Sequence, residues 1–312
     1  MNLIRRTLTV LAAVALSIPI VVAPVAAASG AALLPDWACG PGATAADAGA
    51  AGSELALAGR GAKYREPALG QVRSDMPASA KKRAPADFAA TVQVYFHVIT
   101  NGSLGNLTSR QINAQIAVLN KTFGGREGGA NTGFSFDLAG VTRSDNAKWY
   151  AARGGTENEF KKALKRGDDS DLNVYSTSGW QYLGWAYYPS ITDTNQAHLD
   201  GIVIDWRTVP GASDAYEGRY DLGETLTHEA GHWLDLAHTF DGGCKEPGDF
   251  VDDTPAQATP TSGCPEGKDT CPAPGLDPIH NYMDYSFDSC YTQFTPGQVQ
   301  RAGDAWLLYR AS

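Results

Sequence analysis

Three histidines and a glutamate lie within the stretch 228–238 at a spacing that suits the binding of one metal ion. His228 and His232 are four residues apart, so on a helix both imidazoles face the same side and can reach the same ion. Glu229 follows directly after His228 and can lie beside a water on that ion. Zinc lowers the pKa of such a water to about 7, and a nearby carboxylate can then take its proton. This pattern therefore indicates metal-assisted hydrolysis.

His238 can join the site only if the chain reverses direction after the helix. A helix turns by about 100° and rises about 1.5 Å per residue, so an unbroken helix would carry position 238 away from the face of His232. We therefore expect the helix to end near residue 235, which lets the chain turn back and complete a three-histidine site with an open fourth position. An amphipathic helix with a surface histidine pair also matches the first five residues, and the third histidine favours zinc over that alternative.

The segments around this stretch predict the elements that position it. β-branched and aromatic runs predict strands, and apolar residues at helical spacing behind a capping residue predict helices, which together indicate an α/β domain. The predicted strands are Thr91–Ile99, Phe134–Leu138, Asp171–Tyr175, an edge strand Trp185–Tyr188, and Gly201–Ile204. The predicted helices are one capped by Thr108 or Ser109, then Glu157–Arg166, Leu222–Leu234, and a last one from Thr295-Pro296 to about Arg310.

The residues flanking the histidines extend the pattern. The stretch 228–238 resembles the zinc motif HExxHxxGxxH of the metzincin metalloproteases, and the stretch from Asn281 to Ser286 resembles their Met-turn. Between about residues 88 and 310 the chain is similar to the pappalysin/cytophagalysin family of metzincins, most specifically from 227 to 300. The segments that carry this similarity are His238-Thr239-Phe240, Asp252-Asp253-Thr254-Pro255, Gly275 to Met283, and Gln293 to Gln298.

This resemblance implies a fold and a set of roles. The expected fold is α/β, of the α+β kind: a twisted, mostly parallel sheet with a backing helix and the active-site helix, followed by an irregular disulfide-bonded C-terminal subdomain with a terminal helix. Glu229 would be the general base, and Tyr285 a mobile side chain that assists oxyanion stabilisation. Met283 would pack beneath the metal without a catalytic role. The ligands of one zinc ion per chain would be His228, His232 and His238.

One position departs from the family pattern. The family usually has glycine in the turn before the third histidine, and this chain has Asp235. The turn is expected to need a positive φ, which aspartate tolerates better than most residues, at a cost on the order of 1 kcal/mol. Asp235 can keep the geometry or tilt the turn and loosen His238, and we expect an active enzyme.

Four of the five cysteines follow the zinc helix. Four cysteines allow three pairings, and the family resemblance implies Cys244–Cys271 and Cys264–Cys290. Each bridge would contribute about 3–4 kcal/mol in the chain-entropy model. The fifth, Cys39, lies ahead of the catalytic body. Its thiolate would suit a zinc ligand that keeps a precursor inactive, and an incidental unpaired cysteine is the alternative.

Acidic residues cluster in the same glycine- and proline-rich segment. Several carboxylates in one loop suit calcium, which takes six to eight oxygen ligands, and the family resemblance favours calcium here. Aspartates in loops also serve simply to form turns, which is the alternative. The candidate ligands are Asp249, Asp252, Asp253, Thr254 and Asp269.

The N-terminal part differs in composition from the rest. Two arginines, an apolar run and small residues predict a secretory signal peptide over 1–28, with an uncleaved membrane anchor as the alternative. Residues 29–83 are rich in alanine and glycine and end in a basic run, which indicates a removable propeptide or else a plain flexible linker. The catalytic domain then spans 84–312, in subdomains 84–238 and 239–312.

Charge and hydropathy exclude several classes of partner. The 312 residues include 25 Lys and Arg against 34 Asp and Glu, and the net charge of residues 84–312 is −13. This acidic balance argues against nucleic-acid binding. No apolar run of about 20 residues lies beyond the N-terminus, so no stable membrane association is expected. We expect a secreted monomer that acts on extracellular proteins or peptides.

Two features bear on the substrate. The predicted edge strand can bind an extended peptide by strand addition. Asp288 lies in the expected wall of the primed-side pocket and would favour a basic side chain after the scissile bond, with a solvated loop aspartate as the alternative. The expected function is that of a secreted zinc endopeptidase made as a zymogen. The alternatives are a secreted binding protein disabled by Asp235 and a zinc amidase that cleaves a non-protein amide.

Overall fold

A five-stranded sheet forms the centre of the computed structural model, which describes residues 83–153 and 155–311. The strand order is β2-β1-β3-β5-β4, in which β4 alone is antiparallel and lies at the edge beside β5. The strands are β1 Ala90–Thr100, β2 Phe134–Asp145, β3 Leu172–Thr177, β4 Gly184–Trp185 and β5 Ile202–Asp205.

The longer helices begin at side-chain caps or at a glycine. Thr108 and Gln111 form a capping box at the start of α1, and Thr295 and Gln298 form another at α5, so both helices have exposed amide groups satisfied at their first turn. The helices are α1 Ser109–Thr122, α2 Ala147–Tyr150, α3 Thr156–Leu164, α4 Glu224–Trp233 and α5 Pro296–Tyr309, and Asp288–Cys290 is a short 3-10 helix.

The main core lies between the sheet and helices α1, α4 and α5. On β1, Val92, Val94 and Phe96 are fully buried at alternate positions, as the two-residue period of a strand requires. Trp233 of α4 packs edge-on against Trp306 of α5, with ring centroids 6.1 Å apart. Every residue of α4 is buried, so this helix is enclosed by the fold.

The segment between α4 and α5 has little regular structure and is held by two disulfides. The bridges are Cys244–Cys271 and Cys264–Cys290, which is the pairing that the family resemblance implies. A parallel bridge between Asn281 and Gln293 ties the predicted Met-turn to the chain that leads into α5.

The predicted α/β architecture is confirmed, and two strand boundaries are wrong. β2 continues past Leu138 to Asp145 because β1 runs beside it for its whole length. The edge strand occupies Gly184–Trp185 rather than Trp185–Tyr188, because only these two residues pair with β5 and Tyr188 already precedes a 3-10 helix over Pro189–Asp193. The ring of Tyr188 packs against His232, with centroids 5.6 Å apart.

Several N-terminal predictions lie outside the described residues. They are the signal peptide 1–28, all but the last residue of the propeptide 29–83, and Cys39. Within the described part of the chain, none of the helices is both long enough and apolar enough to cross a bilayer.

Candidate metal centre

The three histidines converge at the C-terminal half of α4. Nε2 of His232 lies 3.1 Å from Nε2 of His228 and 3.0 Å from Nε2 of His238, and all three side chains are buried. Two of these residues come from α4 and the third from the chain that follows it. The described residues contain one further group with metal-ligand spacing, but its cysteines belong to disulfides: Cys264, His280 and Cys290.

The hydrogen bonds of the Nδ1 atoms of His228 and His232 show that the Nε2 atoms of these rings can bind a cation. Nδ1 of His228 lies 2.6 Å from the carbonyl oxygen of Tyr282, and Nδ1 of His232 lies 2.7 Å from that of Leu236. A carbonyl oxygen only accepts, so each Nδ1 carries the proton and donates it. Each neutral ring therefore has a lone pair on Nε2, and lone pairs that converge at this distance suit a metal ion.

His238 is held by three neighbouring side chains. Its Nδ1 lies 3.6 Å from Oδ2 of Asp241, and its backbone N–H donates to the same oxygen at 3.2 Å. The ring of Phe240 stacks on the imidazole with centroids 4.7 Å apart and planes 8° apart. The hydroxyl of Tyr285 lies 3.1 Å from Nε2. Tyr285 therefore lies next to the Nε2 edge of the third histidine.

A sharp turn after α4 brings His238 back. The helix ends at Trp233, and Asp235 has φ of +72°, the left-handed conformation expected at the position where the family usually has glycine. The N–H of Leu236 then donates to the carbonyl of Gly231 at 2.9 Å, as in a Schellman-type helix end. The predicted reversal of the chain is present.

Met283 lies directly beneath α4. A Cβ atom at Gly231 would overlap the Met283 sulfur, so the absence of a side chain between the two helical histidines lets the Met-turn approach the helix. The carbonyl of Met283 accepts from the N–H of Thr239, one residue after the third histidine. Met283 is fully buried and supports the site by packing.

Glu229 lies between α4 and the edge strand. Its side chain is fully buried, and a Cβ atom on Gly184 of β4 would be 2.7 Å from its Oε1. Any side chain at position 184 would therefore displace the carboxylate. The arrangement places Glu229 directly beside the edge strand β4.

Asp288 is buried at the N-terminus of α4, which excludes the solvated-loop alternative. Its Oδ2 accepts from the N–H of Leu222 at 2.8 Å, and the residue is 4% exposed. Burial raises the pKa of Asp288 to about 7, and the negative charge of Asp221 adds to this rise. Burial also raises the pKa of Glu224, helped by the charge of Asp288. This end of the helix is thus an acidic environment with little solvent.

Part of the acidic loop surrounds a cavity. A cavity of about 350 Å³ is lined by Asp249, Asp252 and Thr254, among other residues of the segment after α4. The Thr254 hydroxyl lies 2.7 Å from each oxygen of the Asp249 carboxylate, and burial raises the pKa of Asp249 to about 6. A bound cation would stabilise this buried carboxylate.

Two of the predicted calcium ligands, Asp253 and Asp269, are not among the residues that line this cavity. The carboxylate of Asp253 accepts from the Thr295 hydroxyl at 2.6 Å and from the N–H of Gly297 at 2.8 Å, because it serves the first turn of α5. Asp269 is exposed and lies outside the cavity lining.

Three residues of the site were missed by sequence reasoning. Gly184 stands alone within a strand pattern, which signals a close backbone approach and was available as a clue. Asp241 lies three residues after His238 in a polar loop, a weak signal. Arg301 contacts Asp235 across 66 residues, and no local pattern predicts such a contact.

Comparisons with known proteins agree with this site. Residues 173–306 match the M43 peptidase family model, which is described as pregnancy-associated plasma protein-A. An extracellular metalloprotease of Arthroderma benhamiae is 46% identical over 227 residues, which cover 71% of this chain and 74% of that protein. One of Pyricularia oryzae is 47% identical over 229 residues, covering 72% and 77%.

Solved structures give the same result at lower identity. Mature mirolysin of Tannerella forsythia in complex with a cleaved peptide has a TM-score of 0.61 at 29% identity, covering 72% of this chain and 97% of that one. A promirolysin mutant of the same organism has a TM-score of 0.64 at 30% identity, covering 73% and 83%.

Proposed function

Because the chain belongs to the M43 family of extracellular metalloproteases, related to pappalysin, we propose that it is a zinc endopeptidase that is secreted as a zymogen. The observation that carries this proposal is the convergence of three buried imidazole Nε2 atoms, with the buried Glu229 on the same helix as two of them. The site would hold one zinc ion through His228, His232 and His238.

Zinc, when bound by these imidazoles, supplies a Lewis acid that polarises a carbonyl and acidifies water. The chain's own residues move the proton: Glu229 accepts it from the attacking water and passes it to the leaving amine. Burial of Glu229 between α4 and β4 keeps its carboxylate at one place. The hydroxyl of Tyr285, 3.1 Å from Nε2 of His238, would donate to the oxyanion as the carbonyl carbon becomes tetrahedral.

The proposed substrates are extracellular proteins or peptides in extended conformation. The edge strand β4 pairs on one side with β5, so its other side can accept the backbone of a peptide. Asp288, buried at the start of α4, would favour a basic side chain after the scissile bond, because a cation would compensate the cost of its buried charge. A peptide library cleaved without preference for Lys or Arg at that position would remove this assignment.

We also propose the domain division expected from the sequence: a signal peptide over 1–28, a propeptide over 29–83, and a catalytic domain over 84–312 with subdomains 84–238 and 239–312. Cys39 would be the inhibitory ligand of the precursor. A precursor with Cys39→Ala should cleave substrate before processing, and a precursor that stays silent would argue against this role.

Calcium is proposed as a structural ion in the cavity lined by Asp249, Asp252 and Thr254. After chelation, calcium alone should restore thermal stability, as followed by the melting temperature. Asp249→Asn should lose this response while the exposed Asp269→Asn retains it. An equal response in both variants would place calcium elsewhere.

The central test is cleavage of casein with three treatments. A chelator should block cleavage and zinc should restore it, and Glu229→Ala should abolish cleavage while the protein still binds one zinc ion per chain. Glu217→Ala, at an exposed glutamate, is the matched control and should retain activity. Zinc binding without cleavage by the natural chain would favour a binding protein, and cleavage of small amides but not of casein would favour an amidase.

A further inference from the structure

Asp235 and Arg301 form a buried ion pair at the turn between the second and third histidines. We propose that Arg301 is a positioning residue, which holds this turn in the geometry that brings His238 and His232 to one metal ion. The proposal rests on the proposed zinc site and deepens it, because it assigns a function to the position at which this chain departs from its family.

The backbone conformation of Asp235 is one that needs stabilising contacts, and the pair of Arg301 with Asp235 that supplies them is called the clamp below. The residue has φ of +72°, and a residue with a side chain occupies this region with strain that glycine does not have. A strained conformation persists only where surrounding contacts stabilise it. The contacts of Arg301 are directed at this residue.

The guanidinium of Arg301 binds two groups of Asp235 at once. Its Nη2 donates to Oδ2 of the carboxylate at 2.6 Å, and its Nε donates to the backbone carbonyl oxygen at 2.7 Å. The two side chains are 9% and 5% exposed, so both bonds are largely shielded from water. The guanidinium carbon also lies 5.5 Å from the ring centroid of Phe250. The planar guanidinium donates in two fixed directions, so binding a backbone oxygen and a side-chain oxygen together fixes the orientation of Asp235. A lysine ammonium, which acts as a point charge, does not impose such an orientation.

The clamped residue is joined to both flanking ligands by short backbone links. The N–H of Asp235 donates to the carbonyl of His232 at 2.9 Å, and the N–H of Leu236 donates to the carbonyl of Gly231. The carbonyl of Leu236 in turn accepts from Nδ1 of His232 at 2.7 Å. Fixing Asp235 therefore fixes the carbonyl that sets the tautomer and orientation of His232, and it fixes the direction in which the chain leaves toward His238.

Arg301 is itself placed by a stable support. It lies on α5, which begins with a capping box at Thr295 and packs onto the core through Trp306. The clamp thus connects the terminal helix of the chain to the metal ligands. Outer partners of this kind typically change metal affinity about 10- to 100-fold when removed.

The test measures zinc affinity, since activity alone would not separate positioning from folding. Arg301→Lys keeps the charge but loses the planar fork that reaches the carboxylate and the backbone carbonyl in a fixed geometry. Asp235→Asn keeps an oxygen acceptor and the tolerance for positive φ but removes the charge. The dissociation constant for zinc is measured by competition with chelators of graded affinity, together with the melting temperature of each zinc-free protein. We expect Arg301→Lys to weaken zinc binding about 10- to 100-fold and Asp235→Asn to weaken it less.

The matched control is Arg207→Lys, the same change in another buried arginine–aspartate pair, Arg207 with Asp205. It should lower the melting temperature and leave zinc affinity unchanged. The double variant of Asp235→Asn and Arg301→Lys should bind zinc no more weakly than Arg301→Lys alone, because the two changes break one interaction.

Two results would overturn the clamp. One is unchanged zinc affinity in Arg301→Lys with a lowered melting temperature, which would mean a merely structural pair. The other is strict additivity of the two single changes in zinc affinity. Failure of the proposed function is a separate result, since it would appear as a natural chain that binds no zinc before any variant is made.

Discussion

The two ends of the zinc helix α4 are held by side chains of opposite charge that come from different parts of the chain. At the N-terminal end, the Asp288 carboxylate accepts from the backbone where the helix begins. At the C-terminal end, Arg301 of α5 donates to the carbonyl of Asp235, and Arg310, the residue after α5, donates to the carbonyl of Trp233. Both arrangements match the helix dipole, which favours anions at the N-terminus and cations at the C-terminus.

The N-terminal end lacks a local cap. Its cap residue is Gly223, with φ of +96° and no side chain, so the amide groups of the first turn depend on Asp288. Asp221 and Glu224 lie near the same carboxylate, and the negative charge of Asp221 raises its pKa further. Burial dominates, and the pKa of Asp288 rises to about 7.

The C-terminal end is held by paired charges. Arg310 is fully buried, and it donates to the Trp233 carbonyl at 3.0 Å and to Oδ1 of Asp200 at 3.0 Å. Burial alone would raise the pKa of Asp200, but Arg310 beside it holds that pKa below its ordinary value. One helix is thus held at its N-terminal end by a carboxylic acid whose pKa is raised to about 7, and at its C-terminal end by an ion pair whose members stay charged.

The largest expected effect is at the C-terminal end. Arg310→Met should lower the free energy of unfolding by about 3–5 kcal/mol, because buried Asp200 loses its hydrogen-bonded partner and keeps only Lys165, 3.9 Å away. Urea unfolding measures this loss. Lys148→Met, which removes an exposed ion pair with Glu159, is the control and should cost less than about 1 kcal/mol. Equal losses in the two variants would mean that the buried pair stabilises the fold no more than the exposed pair does.

The N-terminal end should respond to pH. Folded Asp288 keeps its proton up to about pH 7, whereas the unfolded chain releases it near pH 4, so the folded state binds more protons between these values. The contribution of this group to stability is therefore complete below about pH 4 and is lost as the pH rises through 7, by up to about 4 kcal/mol. Asp288→Asn should flatten this part of the profile, as measured by urea unfolding at pH 5 and pH 8, while Asp269→Asn should leave it unchanged. A natural chain equally stable at both values would contradict the assignment.

The two disulfides should differ in their effect on the N-terminal end of α4. Loss of Cys264–Cys290 should lower the free energy of unfolding by about 3 kcal/mol in the chain-entropy model. It should also speed amide hydrogen exchange at Gly223 and Glu224, because Cys290 ends the short 3-10 helix that carries Asp288. Loss of Cys244–Cys271 should have a similar cost without faster exchange at these two amides. Faster exchange in both variants would show that the N-terminal end depends on the whole loop.

The smallest expected effect is at the N-terminal cap of α5, the helix that supports the C-terminal end of α4. Thr295→Ala removes the side-chain cap of α5 and should cost about 1 kcal/mol in the free energy of unfolding. Thr108→Ala makes the same change at the capping box of α1, and it should cost a similar amount. Only the first should also loosen the contacts of Arg301 and Arg310 with α4, seen as faster exchange at the N–H of Asp235.

Much of the fold was predictable because its signals are local. The alternation of Val92, Val94 and Phe96 marks a strand on any sequence reading, and the spacing of His228 and His232 marks one helix face. The limits of the edge strand were not predictable. Tyr188 has strand propensity, yet its ring packs against His232, and that choice depends on a neighbour 44 residues away.

The sequence by itself determined the identity of the candidate ligands, the base and the need for a reversal after α4, since these follow from helix geometry and side-chain chemistry. The tertiary structure alone decided which groups surround them. It placed Gly184 against Glu229, turned Asp253 toward α5, and set Arg301 on Asp235. These contacts join residues that are far apart in the chain, and only the packing of the folded core brings them together.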